Sequence, residues 1–79
     1  GDYFTLLGVS PNATGYEIRR AFLDLRHSFE PSHLLTPGTL DLAPHLKKII
    51  FVLEEAYDVL KDATRRERYK KAIGSSNAR

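Results

Sequence analysis

Two stretches of the chain carry apolar residues at the spacing of one helix face, and this pattern constrains the fold most. The first stripe is Ile18, Ala21, Phe22, Leu25 and Phe29; the second is Leu46, Ile49, Ile50, Leu53, Ala56, Tyr57 and Leu60. The two stripes match in length. Because an apolar helix face must be buried against another element, the pattern predicts an antiparallel helical hairpin.

Capping signals predict the boundaries of the first two helices. Asp2 precedes a short apolar pattern that Gly8 ends, so a first helix is expected over about residues 2–7. Thr14 and Glu17 have the spacing of a capping box, and Pro31 disfavours helical geometry in the residue before it. The second helix is therefore expected over about residues 14–29.

The remaining helices follow a proline-containing connection. Residues 30–43 are predicted to be a long, leucine-containing loop, and a third helix is expected to begin between residues 41 and 44 and to end near residue 61. A fourth helix is expected over residues 63–73. Residues 74–79 have no apolar pattern and predict a flexible tail or a linker, which leaves one domain over residues 1–73.

Length and composition limit the function classes. A chain of 79 residues has room for one small core, and without cysteine it has neither disulfides nor thiolate ligands and nucleophiles. Its 42% apolar and 28% charged residues are typical of a folded, soluble domain. The longest apolar run, residues 49–53, is too short for a membrane span or a signal peptide. A cytoplasmic protein is expected.

Charge is concentrated at the end of the chain. Residues 1–60 carry five basic and eight acidic side chains, which gives a net charge of −3. Residues 61–79 carry seven basic and two acidic side chains, which gives a net charge of +5. The basic residues of the last helix are Arg65, Arg66, Arg68, Lys70 and Lys71. Such a patch can contact nucleic acid, although a solvated helix face is the simpler interpretation. Nucleic-acid binding is kept as an alternative function.

The sequence offers little catalytic chemistry. The three histidines, His27, His33 and His45, have no histidine partner at helical spacing. A pair between His33 and Glu30, on either side of Pro31, is the nearest approach to a catalytic arrangement. The glycines are dispersed, so no phosphate-binding loop is present. We expect no enzyme activity, metal site or cofactor.

Four motifs in order resemble the J-domain, the module named after the DnaJ chaperones. They are D-Y-F-T-L-L-G-V at residues 2–9, E-I-R-R-A-F at 17–22, E-A-Y-D-V-L at 55–60, and the spaced residues Asp62, Arg66 and Tyr69. The resemblance covers nearly the whole chain. It implies an all-α, four-helix J-domain fold, with short first and fourth helices bracing the hairpin, and a role for Arg66 in pairing with Asp62 or capping the corner between the last two helices.

In that family the loop after the second helix opens with His-Pro-Asp, which is needed to trigger ATP hydrolysis by seventy-kilodalton heat-shock chaperones. Aligning Phe29 with the preceding aromatic residue places Glu30, Pro31 and Ser32 at these positions. We call these three residues the trigger position. Glutamate and serine cannot replace the imidazole and the anionic acceptor, so a charge-assisted bond is lost. The resemblance then implies a degenerate module that docks or assembles within a larger, bacterial protein; an active co-chaperone with an atypical loop is the alternative.

Two further surfaces are candidate contact sites. By resemblance, Arg19, Arg20 and Arg26 on the second helix form the face that docks on the chaperone, although Leu23 and Asp24 stand where basic residues are common, so only weak docking is expected.

The second surface is apolar. Leu23, Phe51 and Val52 form a candidate patch for another protein, another domain of the parent chain or a second copy. The loop is about five or six residues longer than in common family members, an insertion that loop-closure entropy tolerates. Its four leucines offer a competing explanation, in which they cover Phe51. They are Leu34, Leu35, Leu40 and Leu42.

Overall fold

Four main helices make up the structure, a computed structural model that describes residues 1–76. They are α1 (Tyr3–Leu7), α2 (Gly15–Ser28), α4 (Ala43–Leu60) and α5 (Ala63–Ser76). Between α2 and α4 lie a one-turn helix, α3 (Pro31–Leu34), and a 3-10 turn at Leu40–Leu42. Residues 1–76 contain no β-strand, so the predicted all-α, four-helix fold is confirmed.

The first two helices use the predicted capping residues. The Asp2 Oδ1 accepts a hydrogen bond from the Thr5 N–H at 2.8 Å, and Gly8 ends α1 in the left-handed conformation, at φ 70°. At α2, the Thr14 Oγ1 accepts from the Glu17 N–H at 3.1 Å, while the Glu17 carboxylate accepts from the Thr14 N–H at 2.8 Å. The capping box is therefore confirmed, and it fixes the start of the helix that leads to the candidate site.

Helices α2 and α4 pack as an antiparallel hairpin. The Phe22 ring stacks on the Tyr57 ring, with centroids 4.3 Å apart and planes inclined by 7°. Further along α2, Arg26 lines a hollow together with Glu54. From Phe22 to Arg26 the chain advances along α2, while the α4 residue opposite changes from Tyr57 back to Glu54. This is the antiparallel order that the two apolar stripes predicted.

The core lies where α4 meets the other helices. Leu53, Ala56 and Leu60 lie at i, i+3 and i+7, so they share one face of α4, and each is at most 3% exposed. Ile49, which the stripe placed on the core face, is instead 37% exposed, since it lines an open groove between α1 and α4. The buried cluster consists of Phe4, Leu7, Ile18, Leu53, Ala56 and Leu60.

An aromatic cluster joins the two ends of the domain. The Tyr3 and Tyr69 rings are stacked with centroids 5.0 Å apart, the Phe4 ring lies 5.8 Å from Tyr69, and the Tyr69 hydroxyl accepts a hydrogen bond from the Tyr3 N–H at 2.9 Å. The Tyr3 hydroxyl donates to the Glu55 carboxylate of α4 at 2.8 Å, which together with partial burial raises the pKa of Tyr3 above its usual value. Helices α1 and α5 therefore brace the hairpin as expected.

The connection between α2 and α4 is more ordered than the predicted loop over residues 30–43. Pro31 does not only end α2; it also begins α3, where its missing N–H is tolerated in the first turn. Helix α4 begins at Ala43 with Pro44 in its first turn, as expected.

The C-terminal boundary also differs from the expectation. Helix α5 continues to Ser76, three residues past the predicted end at residue 73. The rest of the predicted tail, residues 77–79, lies outside the described residues. No helix within residues 1–76 is long and apolar enough to cross a lipid bilayer.

The buried face of α4 gives a direct test of the core. We expect Leu53→Ala to lower the free energy of unfolding by about 2–5 kcal/mol, because Leu53 is 3% exposed and its truncation leaves a cavity. Leu40→Ala is the matched control, since Leu40 is 61% exposed and should change stability by less than about 0.5 kcal/mol. Urea unfolding measures both. Equal losses of stability in the two variants would contradict the orientation of α4 in which Leu53 faces the core.

Candidate functional site

The trigger position lies at the corner between α2 and α3. The Glu30 backbone is extended, at φ −62° and ψ 120°, and Pro31 is the first residue of α3. A residue before proline is kept out of the helical region, so α2 ends here and α3 starts in a new direction. Ser32 follows on the exposed surface of α3. The proline of the trigger position therefore has a structural function that the two flanking residues do not share.

Glu30 forms an ion pair with Arg26, one turn back on α2. The Arg26 Nη1 donates to the Glu30 Oε2 at 2.9 Å, and the two side chains are 33% and 37% exposed. Glu30 lies two residues past the end of α2, and its side chain reaches back to the last turn of that helix. A pair this exposed contributes little to stability, about 0.3–0.5 kcal/mol. Its larger consequence is electrostatic, because it neutralises a cation of the predicted docking face.

The other two arginines of that face are in different states. The Arg20 Nε lies 3.5 Å from the Asp24 carboxylate, with both side chains 69% exposed. Arg19 is exposed and forms no ion pair with any residue that the structure describes. Leu23, 47% exposed, lies between Arg19 and Arg26 at helical spacing. The predicted docking face thus keeps one uncompensated arginine within residues 1–76.

The two histidines near the trigger position contact each other. The rings of His27 and His33 lie with centroids 5.2 Å apart and planes inclined by 57°. The imagined pair of His33 with the Glu30 carboxylate does not form, since that carboxylate binds Arg26. The histidine contact was missed because the two residues are six positions apart, across a helix corner. Within residues 1–76, no group of three or more acidic or histidine side chains could hold a metal ion.

Phe51 lies next to the trigger position and is 66% exposed. It lines a hollow of about 440 Å³ between the end of α2, α3 and α4, which we call the Phe51 hollow. The trigger residue Pro31 and the ion-paired Arg26 line the same hollow. The other lining residues are Leu35, Ala43, Lys47, Ile50 and Glu54. The structure therefore places Phe51 beside the docking face, which the sequence did not reveal.

The three residues of the candidate apolar patch do not share one hollow. Val52 lines a separate groove between α1 and α4, and Leu23 lines neither that groove nor the Phe51 hollow. Of the four loop leucines, Leu35 alone lines the Phe51 hollow, and it leaves Phe51 exposed. The other three are themselves 41–61% exposed; they are Leu34, Leu40 and Leu42.

Most cations of the basic C-terminal helix contact the domain itself. The Arg65 Nη1 donates to the Asp58 backbone oxygen at 3.1 Å and lies 3.3 Å from the Asp58 carboxylate. A hydrogen bond from Lys61, and then one from Arg65, lower the pKa of Asp58. The Asp62 carboxylate caps α5 by accepting from the Arg65 N–H at 2.9 Å. Arg65 therefore holds the corner between α4 and α5.

Two more cations form hydrogen bonds with residues outside α5. The Arg66 Nη1 donates to the Leu60 backbone oxygen at 2.9 Å, which caps the end of α4 as the resemblance implied. The Lys70 Nζ lies 2.6 Å from the Asn12 Oδ1 of the turn before α2. Arg68 and Lys71 line a shallow hollow on α5. This arrangement favours a structural use of Arg65, Arg66 and Lys70, three of the five cations that the sequence offered for nucleic-acid binding.

The comparisons with known proteins agree with this architecture. A family model described as DnaJ domain matches residues 2–70 of the chain. The chain belongs to the DnaJ domain family. It is similar over 68 residues to the chaperone protein DnaJ of Orientia tsutsugamushi (40% identity), Chlamydia trachomatis (38%) and Porphyromonas gingivalis (37%). Each alignment covers 86% of this chain and 16% of the relative's length.

This J-domain is a chaperone-associated interaction module. Its framework of α1, α2, α4 and α5 presents the trigger position and the Phe51 hollow side by side at the α2–α3 corner. The Arg26–Glu30 pair was missed in the sequence, although its i, i+4 spacing of opposite charges is a signal that could have found it.

The exposure of Phe51 can be tested without knowing its partner. We expect Phe51→Lys to change the free energy of unfolding by no more than about 0.5 kcal/mol, because the ring is 66% exposed. Phe4→Ala is the contrast, since Phe4 is 1% exposed and should lose about 3–5 kcal/mol. Urea unfolding measures both. An unfolded Phe51→Lys variant would place Phe51 in the core and contradict the structure.

Proposed function

We propose that this J-domain docks on a partner protein without stimulating the ATPase of a seventy-kilodalton heat-shock chaperone. In this proposal it serves as a docking or assembly domain of a larger protein. The ion pair at the trigger position is the observation that carries the proposal: Glu30, where the family has histidine, holds Arg26 at 2.9 Å. One substitution thus changes the trigger chemistry and also neutralises a docking cation.

The loss of triggering follows from the groups now present. An ionised carboxylate only accepts hydrogen bonds, whereas an imidazole can donate one and accept another, so Glu30 cannot make a histidine's contacts. Ser32 offers a neutral hydroxyl in place of a carboxylate. Removing one partner of a buried interfacial charge pair costs about 2–5 kcal/mol, which is a loss of about thirtyfold or more.

The docking face supports weak association at most. Arg20 is paired with Asp24 and Arg26 with Glu30, whereas Arg19 has no ion-pair partner among the described residues. Because electrostatic steering depends on the summed local field, pairing two of three cations lowers the attraction for an acidic surface. A weak contact with the chaperone is therefore retained in the proposal, mainly through Arg19.

Phe51 is the proposed anchor for the partner. Aromatic side chains, phenylalanine among them, are enriched at the cores of protein interfaces relative to the rest of the surface. The Phe51 hollow adds Lys47 and Glu54 at its edge, which can orient a polar partner segment. The partner is either another domain of the parent protein or a second copy of this domain. Sedimentation of the unmodified domain and of the Phe51→Lys variant distinguishes the two, because self-association through Phe51 would be lost in the variant.

Restoring the trigger tests the proposal. We expect Glu30→His combined with Ser32→Asp to accelerate single-turnover ATP hydrolysis by the seventy-kilodalton chaperone of Chlamydia trachomatis at least about tenfold over the unmodified domain. The estimate assumes recovery of only part of the lost charge-assisted contact. The J-domain of the DnaJ protein from that organism serves as the positive control.

A matched variant controls for the chemistry of the new side chains. Thr64→Asp combined with Glu67→His introduces the same residue types on exposed positions of α5, away from the trigger position, and should leave hydrolysis unchanged. If the restored domain binds the chaperone and hydrolysis is not accelerated, the substitutions at the trigger position do not explain the lack of stimulation. Acceleration by the unmodified domain would overturn the proposal.

A further inference from the structure

A second apolar depression lies on the other side of α4 from the Phe51 hollow. It is a groove of about 320 Å³ between α1 and the N-terminal half of α4, lined by Leu6, His45, Lys48, Ile49, Val52 and Leu53. Leu6 is 41% and Ile49 is 37% exposed. No residue is shared with the Phe51 hollow or the trigger position. We call it the α1–α4 groove.

The difference in length between α1 and α4 creates this groove. Helix α1 has five residues and α4 has 18, lengths of about 7.5 and 27 Å at 1.5 Å per residue. The hydrogen bond from Tyr3 to Glu55 holds α1 over the C-terminal half of α4. The same face continues through Val52, Ile49 and His45 at helical spacing, and Leu6 is the one α1 residue that lines the groove beside it. An apolar strip about two turns long is therefore uncovered.

The charge of the groove is one-sided. Lys48 and the imidazole of His45 stand among the apolar lining residues, and no carboxylate lines the groove. Lys48 forms no ion pair within the described part of the chain. The groove therefore joins an apolar floor to an uncompensated cation, a combination that matches an apolar segment carrying a nearby acidic side chain.

The walls also restrict the conformation of such a segment. The backbone groups of α4 at residues 48–53 are bonded within the helix, so they cannot pair with an added β-strand. The lining contains no Tyr, Trp or Phe, the side chains that hold a polyproline segment. The α4 side chains and Leu6 of α1 form the lining, and this arrangement fits the remaining common mode, in which an amphipathic helix lays its apolar face into a groove.

We propose that the α1–α4 groove binds an amphipathic helix of a partner protein, with two apolar anchors one turn apart and an acidic side chain beside them. The anchors lie on Leu6, Ile49 and Val52, and the acidic group faces Lys48. This surface is independent of the trigger position, so it does not rest on the proposed loss of chaperone stimulation.

A pair of synthetic peptides tests the proposal on the intact 79-residue chain. The first probe is an amphipathic helical peptide of about four turns, with leucines at i and i+4 and glutamates beside them. The second probe has lysines in place of those glutamates. We expect backbone amide shifts in NMR spectra to change at Leu6, Ile49 and Val52 when the first peptide is added, and affinity about two- to fivefold higher than for the second.

Three variants locate the binding surface. Ile49→Lys should weaken the acidic peptide at least about tenfold, whereas Leu40→Lys, the matched change at an exposed leucine outside the groove, should not. Lys48→Glu should reverse the preference between the two peptides. An amide spectrum of each variant without peptide confirms that the fold is retained.

Four results would overturn the proposal. They are absence of binding to the acidic peptide, shifts that map to the Phe51 hollow, equal binding by the Ile49→Lys variant, and binding to phosphatidylglycerol vesicles without binding to the peptide. No heat-shock chaperone is used in these measurements, so their failure is distinguishable from failure of the proposed function.

Discussion

The buried face of α4 is the surface against which α1, α2 and α5 all pack. Leu53, Ala56 and Leu60 supply half of the central cluster, and each of the other contributing helices adds its apolar residues to that face. With 79 residues and no cysteine, the chain has no disulfide to compensate for a weak core. The fold therefore tolerates change mainly where α4 is not buried, and both candidate contact surfaces lie there.

The α2–α3 corner shows how structure and function separate within one tripeptide. Pro31 begins α3, so it is needed for the path of the chain whatever the domain binds. Glu30 is half-buried, Ser32 is exposed and neither belongs to the core cluster, so their chemistry can change without loss of the fold. The Arg26–Glu30 pair then neutralises one of the three arginines of the predicted docking face. A J-domain framework is thus compatible with different surface chemistry.

Much of the fold could be predicted because its signals are local. The Asp2 and Thr14 caps and the two apolar stripes each depend on residues within a few turns, where helix geometry fixes the neighbours. Helix α3 was missed because Pro31 was interpreted as a break and not also as a first helical residue. The α1–α4 groove could not be found this way, since Leu6 and Ile49 meet only through packing.

The candidate site was predicted in part. The resemblance located Glu30, Pro31 and Ser32, and local spacing could have supplied the Arg26 partner. The contact of His27 with His33 and the position of Phe51 beside Pro31 depend on the angle between α2 and α3. That angle follows from the extended backbone of Glu30 before Pro31, which joins two separate helices, so no pattern within one helix encodes it.

Whether this J-domain stimulates a chaperone ATPase is measured most directly by single-turnover ATP hydrolysis. A bacterial seventy-kilodalton heat-shock chaperone is assayed with the unmodified domain added in increasing amounts. We expect the rate of hydrolysis to stay at the level of the chaperone alone, even at domain concentrations where weak binding is detected. A saturable acceleration that approaches the effect of a DnaJ relative's J-domain would contradict it, because Glu30 and Ser32 would then be compatible with triggering.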